Sequence, residues 1–409
     1  MKKFLLALSA VVFSALTYSN AQTDCGGNRY AQPIFTGVTK IADVKYGQNK
    51  AQNGTTDVNL FMDIYMPDGD TDTDRPVVLL AHGGSFVGGT KADGNVVAQC
   101  NAFAKMGYVA VSMQYRLLTV DVSVLMNTGL EFKKEVVRAI HDMRAAIRFL
   151  RKTHAEDGNP YGINPDMILA GGYSAGAILA NHTTFLDSES KYPSELTAYV
   201  ATQGGLEGNS GNPGYSSVPQ MAISWCGAIM DLNWMEAGDQ PYIGMHNLGD
   251  QTVPNLSGQP NIGLPVPVTL NGDSLMYKRA LEVNIPAAYK SYPGNTHCDF
   301  PAGSSDFIYS FVHDQICVQG LSLANKPETV LFSVYPNPAQ EAFFIDVPGN
   351  SWEWSVTITN TLGQVTSLLK MNTDENRISV NTSGMKPGVY MIQLHSNDGK
   401  TATKKVVVQ

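Results

Sequence analysis

A chain of 409 residues with 43% apolar and 16% charged side chains has the length for two or three globular domains and the apolar content for a substantial core. Its formal charge of −8, without any cluster of Lys and Arg interleaved with aromatics, argues against nucleic-acid partners and against attraction to anionic membranes.

Residues 1–21 read as an export signal rather than as part of a fold. Lys2 and Lys3 form a basic start, Phe4 to Leu16 an apolar stretch, and Ser19-Asn20-Ala21 a small-residue cleavage site before Gln22. Losing the two lysines makes the exported chain two charges more acidic. Gln-Thr-Asp ahead of Cys25 lacks the small apolar run of a lipid-attachment signal, and no other stretch is long and apolar enough to span a membrane. Export places five cysteines (Cys25, Cys100, Cys226, Cys298 and Cys317) in oxidising surroundings, enough for two disulfides and one thiol left over. Cys298 and Cys317 flank a predicted helix, too far apart to bond each other, which makes Cys25 with Cys100 the better pairing by a small margin.

In chain order, residues 35–66 hold two strand-like runs that suggest an antiparallel pair at a sheet edge, the clearer being Val58 to Ile64 with apolar even positions. Asp68 to Asp74 alternates aspartates but lacks the glycine and the distal glutamate of an EF-hand loop, so it reads as a solvated hairpin turn. Pro76 to Ala81 is a continuous apolar strand that runs into His82-Gly83-Gly84-Ser85-Phe86, where paired glycines let backbone N–H groups turn toward a ligand. Asn95 to Lys105 predicts a helix, Tyr108 to Gln114 a strand and Lys133 to His154 a long amphipathic helix. Strands alternating with helices imply an α/β fold, a mostly parallel sheet with helices on both faces.

The stretch Met167 to Ala180 is the one around which this domain is organised. Met167 to Ala170 read as a buried strand and Ala175 to Asn181 as the start of a helix, so Gly172-Tyr173-Ser174-Ala175-Gly176 must turn sharply between them. Side chains at Gly172 and Gly176 would strike neighbouring backbone, and Ser174 is left with its hydroxyl exposed beside the N–H of Ala175. Gln203 to Pro219 reads as a surface loop. Strands recur at Met221 to Trp225, Pro241 to His246 and Pro286 to Tyr292, the last two leading into loops that carry Asp250 and His297.

A serine alcohol needs a base to take its proton and an acid to orient that base. Among eight histidines, His82 precedes the serine and reads as a structural residue fixing its loop. His141, His154, His182 and His313 are helical, His246 ends a strand ahead of the acid, and His395 is remote, leaving His297 as base. Asp250 lies in a polar loop after a strand, whereas its rival Asp231 is as readily a helix cap; Asp239 is a second rival, and Asp299 follows the histidine. The candidate triad is Ser174, Asp250 and His297, with Gly84, Ser85 and Ala175 as oxyanion-hole donors. Neither H-E-x-x-H nor a paired C-x-x-C is present, so no metal and no cofactor is called for. A base of this kind must be neutral to work, so activity is expected to fall on acidification.

Through HGGSF, the YRL of Tyr115 to Leu117, the GINPDMILAGGYSAGA run, Asp250 before Val-Pro, and His297, residues 35–317 resemble the α/β-hydrolase carboxylesterases and lipases. That resemblance implies an acyl-enzyme mechanism on Ser174 with Gly84 and Ser85 in the oxyanion loop. Two departures stand out: HGGS replaces HGGG, and the segment between Asp250 and His297 contains a Gly/Pro/Asn-rich insertion, residues 255–272, placed to line or cover a substrate cleft.

Ser304 to Gln315 predicts a last helix, residues 319–330 a linker, and from residue 331 seven short strand-like runs predict a small all-β sandwich without evident chemistry. Tyr335-Pro-Asn-Pro338, Asn360 to Gly363, Gly388 to Ile392 and the closing Lys-Lys-Val-Val-Val resemble the carboxy-terminal sorting domain of type IX secretion cargo. This implies passage across both membranes, interaction with that secretion machinery through residues 331–409, and release or surface anchoring. The expected organisation is a signal at 1–21, a catalytic domain at 22–318, a linker at 319–330 and a sorting domain at 331–409. The expected activity is a secreted serine ester hydrolase acting on a small-molecule or polymer-borne ester. Feruloyl or acetyl esters on plant polysaccharide and polyesters stay open, and so does a silent hydrolase-fold binding module. A prolyl-oligopeptidase-type peptidase would carry a large amino-terminal β-domain that is absent here.

Overall fold

The computed structural model describes residues 25–119, 129–263, 265–318, 333–346, 354–360, 365–371, 377–396 and 401–409. The signal segment and the linker at 319–330 lie outside the described residues. The chain divides into two compact units, residues 1–322 and 323–409.

The first unit is built on an eight-stranded sheet. Its strands are β1 (Val38–Lys50), β2 (Asp57–Pro67), β3 (Arg75–Ala81), β4 (Val109–Met113), β5 (Ile163–Tyr173), β6 (Ala222–Trp225), β8 (Tyr242–Asn247) and β11 (Ala287–Tyr292), in the order β1-β2-β4-β3-β5-β6-β8-β11. Short strands β7 (Ala228–Ile229), β9 (Ser257–Gly258) and β10 (Leu270–Gly272) make a separate three-stranded sheet. The helices are α1 (Gly94–Lys105), α2 (Leu130–Glu156), α3 (Ala175–Phe185), α4 (Thr197–Thr202), α5 (Asp273–Glu282) and α6 (Asp306–His313).

β1 and β2 pair antiparallel at one edge, and from β4 to β11 the neighbours run parallel. The reason β3 reads as unbroken apolar sequence is visible in its packing. Val77, Leu79 and Ala81 enter the core beneath α2, α3 and α5, while Val78 and Leu80 enter the core beneath α1 and α6. A strand buried on both faces has no polar side to alternate with. From β3 the chain steps to β4 on one side and then to β5 on the other, so the connecting helices α1 and α2 take opposite faces and a crevice opens at the carboxyl end of β3.

Two expectations need correction. The Asp68–Asp74 segment is not a solvated hairpin turn: β4 lies between β2 and β3, and the aspartates are engaged by cations and a phenol. Arg29 contacts Asp70 at 2.5 Å and Asp72 at 3.1 Å, and Tyr30 donates to Asp72. Residues 203–219 form the expected surface loop, and arginines from α2 reach into it. Arg148 donates to the Gly211 carbonyl and Glu207, Arg151 to the carbonyls of Ser216 and Val218, and Ser210 and Ser217 are buried. The disulfides are Cys25–Cys317 and Cys226–Cys298, with Cα separations of 5.8 and 5.5 Å, and Cys100 is a buried free thiol on α1. The Cys25–Cys100 pairing therefore fails: Cys298 and Cys317 are indeed not bonded to each other, but excluding that pair said nothing about which loops the sheet brings together.

The second unit has seven antiparallel strands: β12 (Ser333–Tyr335), β13 (Ala342–Asp346), β14 (Trp354–Asn360), β15 (Val365–Met371), β16 (Arg377–Asn381), β17 (Gly388–Ser396) and β18 (Thr401–Val408). They form a three-stranded sheet β12-β13-β16 and a four-stranded sheet β15-β14-β17-β18 around one shared core that includes Phe343, Ile345, Val356, Ile358, Ile392 and Val406.

Candidate active site

Six strands of the sheet run parallel, and the residues singled out in the sequence sit just past the carboxyl ends of four of them, β3, β5, β8 and β11. Ser174 follows β5 and caps α3, with φ 53° and ψ −117°. A non-glycine residue held at such angles is strained, and the surroundings hold it there. The Ser174 N–H donates to the Trp225 carbonyl at 2.9 Å, and the Ser174 carbonyl accepts the N–H of Ile178 at 2.9 Å. Both flanking glycines are forced. A Cβ on Gly172 would lie 2.5 Å from the Gly176 carbonyl carbon and 2.6 Å from the Ala81 oxygen, and one on Gly176 would strike that same oxygen.

His297 stands in the loop after β11, its side chain about a quarter exposed, and Asp250 in the loop after β8, its carboxylate fully buried. His297 Nδ1 is 2.7 Å from Asp250 Oδ2, and His297 Nε2 is 2.7 Å from Ser174 Oγ. A carboxylate only accepts, so Nδ1 carries the proton and Nε2 is left to accept from the serine hydroxyl. The other carboxylate oxygen of Asp250 accepts the N–H groups of Thr252 at 2.8 Å and Val253 at 3.2 Å. Burial works to raise the Asp250 pKa, but hydrogen bonds from His246 and His297 overcome it and bring it down to about 2. The acid is thus ionised throughout the range in which a histidine could act as a base.

The base loop is fastened on several sides. The N–H groups of Leu248 and Gly249 donate to the Tyr292 and Gly294 carbonyls at 2.8 Å each, and Asn247 Nδ2 donates to the Asp299 carbonyl at 2.9 Å. The Cys226–Cys298 disulfide ties the residue next to His297 to the end of β6. Among the described residues, Cys226, His297 and Cys298 are the one group of His, Cys and acidic side chains whose donor atoms converge closely enough for a metal ion. Their two sulfurs are bonded to each other, which leaves no thiolate to ligate one.

The HGGSF loop comes up against Ser174 from β3: a Cβ on Gly83 would sit 3.4 Å from the Ser174 Cβ. Gly84, Ser85 and Phe86 all have positive φ, and the Gly84 carbonyl accepts the N–H groups of Val87 and Gly88 at 3.0 Å each. His82 is buried, donates Nδ1–H to the Gly83 carbonyl at 2.7 Å, and stacks on Tyr115 at 4.3 Å. Burial lowers its pKa, keeping it neutral. Tyr115 in turn donates to the His82 carbonyl at 2.9 Å, and the Leu118 N–H to the Phe86 carbonyl at 2.8 Å. HGGSF and YRL, separate marks in the sequence, are thus two halves of one loop support. Ala175 is the first residue of α3, and its N–H, like others in a first helical turn, has no intrahelical acceptor.

A narrow cavity beside Ser174 is lined by Ser85, Phe86, Phe132, Ala175, Ile178, Thr252, Val253, Pro260, Ile262 and Val266. Three of these belong to the 255–272 insertion. A larger groove of ≈ 730 Å³, between Lys133, Tyr192, Trp234 and Pro267, includes none of Ser174, Asp250 or His297 in its walls. The rival acids are used locally: Asp231 caps a short helical turn by accepting the Asn233 N–H, and Asp239 accepts the Glu236 N–H. Two neighbours of the acid escaped the sequence reading. His246 is buried beside Asp250, and Asp273 is buried beside His246; the His-x₃-Asp spacing from His246 to Asp250 was there to be read, but Asp273 lies at the start of a helix and bears no local mark.

Residues 62–206 match the family model described as BD-FAE, and residues 333–409 match the model described as Secretion system C-terminal sorting domain. The chain therefore joins an esterase-like α/β-hydrolase domain to a type IX sorting domain, which directs it to the cell surface or outside. Among the described residues no helix is long and apolar enough to cross a membrane. A thermophilic esterase from Thermogutta terrifontis, solved with propionate bound, aligns at TM-score 0.46 and 21% identity over 68% of this chain and 93% of its own. Esterase 2 of the same organism, phosphorylated by paraoxon, aligns at TM-score 0.46 and 22% identity over 70% of this chain and 95% of its own. Beta-agarase A of Zobellia galactanivorans is 33% identical over 85 residues, 21% of this chain and only 15% of that enzyme's length.

Proposed function

We propose that the protein is a secreted serine carboxylic ester hydrolase that works through an acyl-enzyme on Ser174. The observation that carries this reading is the unbroken hydrogen-bond chain Ser174 Oγ, His297 Nε2, His297 Nδ1, Asp250 Oδ2, with both links at 2.7 Å. Ser174 Oγ attacks the ester carbonyl carbon while its proton passes to His297 Nε2, and Asp250 stabilises the imidazolium without taking a proton itself. The N–H groups of Ala175, Gly84 and Ser85 meet the tetrahedral oxyanion. Collapse of that intermediate expels the alcohol, which collects the proton from His297, and water activated by the same base then releases the acid.

The reading favours a short acyl group. The cavity beside Ser174 offers a water-sized group only ≈ 20 Å³ for its centre, against the ~10–15 Å³ that seating one such sphere takes. Packed apolar walls such as Phe132, Ile178 and Val266 suit a short acyl group better than a feruloyl or long aliphatic one. Mature protein and its Ser174→Ala variant, assayed on p-nitrophenyl acetate, test the reading. Equal rates would refute it and would favour a hydrolase fold used only for binding.

A further inference from the structure

The acid of the triad is one member of a longer buried array. His246, at the end of β8, is fully buried, with Nδ1 2.9 Å from Asp273 Oδ2 and Nε2 3.0 Å from the Val253 carbonyl and 3.3 Å from Asp250 Oδ2. Asp273, at the start of α5, also takes the hydroxyls of Ser224 and Tyr242 at 2.6 Å each on Oδ1 and the Gly227 N–H at 3.1 Å on Oδ2. That is the environment of a carboxylate.

Every partner of the His246 ring is an acceptor. A carbonyl oxygen cannot donate, so Nε2 must carry a proton; a carboxylate already holding three donors calls for a second proton on Nδ1. Among the described residues neither Asp250 nor Asp273 has a lysine or arginine ion-pair partner. Two carboxylates buried on either side of one imidazole call for a positive charge between them.

We propose that His246 is a resident imidazolium that bridges Asp250 and Asp273, a positioning residue that clamps the triad acid and balances its charge. This rests on the Ser174, His297 and Asp250 reading of the site. In the resting state the array runs neutral His297, Asp250⁻, His246⁺, Asp273⁻, with one negative charge uncompensated. Proton transfer from Ser174 to His297 supplies the missing positive charge, so the array is matched to the imidazolium that catalysis makes. Without His246⁺ the excess would be two negative charges, more than the one imidazolium of the reaction can balance. Burial alone would lower the His246 pKa, but its hydrogen bonds to Asp250 and Asp273 raise it to about 9. The other titratable groups facing it stand behind those carboxylates: His297 behind Asp250, and Tyr242, with Tyr289 further off, behind Asp273.

The test uses the mature protein labelled with ¹⁵N-histidine at pH 7.5, the His246 signals being those absent from His246→Gln. Protons on both ring nitrogens are expected, and an unprotonated ring nitrogen overturns the proposal. This readout does not depend on esterase activity, so it stands apart from the test of Ser174. Folded His246→Gln should keep KM within about twofold and lose kcat by roughly tenfold or more, as for a lost charged hydrogen bond. The acid limb of its pH profile should move to higher pH. A wild-type kcat and pH profile in the folded variant would overturn the proposal. Should that variant not fold, Asp273→Asn in its place should make His246 lose its second proton at lower pH, and an unchanged titration overturns the proposal.

Discussion

Lengthening the acyl chain of the substrate probes the cavity beside Ser174 directly. Butyryl adds two methylenes to acetyl. In an open apolar groove, burying them would contribute about 0.8 kcal/mol each and raise kcat/KM roughly tenfold or slightly more. Here the room is ≈ 20 Å³ and the walls are Phe132, Ile178, Val266 and their neighbours, three buried or nearly buried side chains in the main core cluster. Forcing extra methylenes into packed surroundings costs about 1–3 kcal/mol, so kcat/KM should instead fall about 5- to 150-fold from acetyl to butyryl and further for octanoyl. Phe132, 4% exposed on α2, is the wall to remove. Phe132→Ala should lose about 3 kcal/mol of stability or somewhat more, and should narrow or invert the preference for acetyl. The assay is kcat/KM for p-nitrophenyl acetate, butyrate and octanoate on both proteins, with thermal melts alongside. Octanoate turned over by the wild type within a few fold of acetate would refute the reasoning, as would an unchanged chain-length profile in folded Phe132→Ala.

Removing the Cys226–Cys298 disulfide by Cys226→Ser with Cys298→Ser frees a closure 72 residues apart in sequence, worth about 4 kcal/mol on chain-entropy grounds. It should lower kcat more than it raises KM, since His297 is the residue beside the staple; a melt and a KM against kcat comparison check this. Stability should also depend on pH through the charged array. His246, with its pKa raised to about 9, contributes stability that is complete below its ordinary value of 6.5 and is lost as pH rises through 9. Asp250, lowered from 3.8 to about 2, contributes stability present above 3.8 and lost as pH falls through 2. The difference in melting temperature between wild type and His246→Gln should therefore be largest near pH 6 and shrink toward pH 9.5; a constant gap would speak against it. Finally, a chain of residues 22–320 should fold and keep its esterase activity, because the two units have separate cores. In the native host it should stay in the periplasm, and its appearance in the medium would count against the sorting role.

Elements were legible in the sequence where one short stretch carries its own geometric demand. The turn at Ser174 declares itself because Gly172 and Gly176 have no room for a Cβ, and the sheet declares itself because β3 is apolar on both faces. Asp250 and His297 are proposed as partners of Ser174 from position alone, since in a parallel sheet the strand ends converge on one crevice and both residues follow a strand, and the three side chains lie in hydrogen-bond reach of one another in turn. Partnerships between distant segments were not legible. Cys25 meets Cys317 across 292 residues, and Cys226 meets Cys298 only because β6 and the loop after β11 end at the same side of the sheet. The arginines of α2 likewise carry no local mark of their partners, which lie far on in residues 207–218.

His246 shows why the supporting residues are the harder ones to read. As a candidate base it fails on chain order, and that exclusion is sound as far as it goes. Its chemistry depends on which atoms face the ring from the loop that holds Asp250 and Val253 and from α5, two segments whose meeting is a product of the fold. A reactive residue must sit where substrate can reach it, which constrains local sequence strongly. A residue that supports it need only be buried and correctly partnered, and burial with partners from separate segments leaves little trace in any one of them. The same asymmetry predicts where substitutions will mislead. A loss of activity at Asp273 would look like damage to a helix start, although that carboxylate lies only one imidazole ring away from the triad acid.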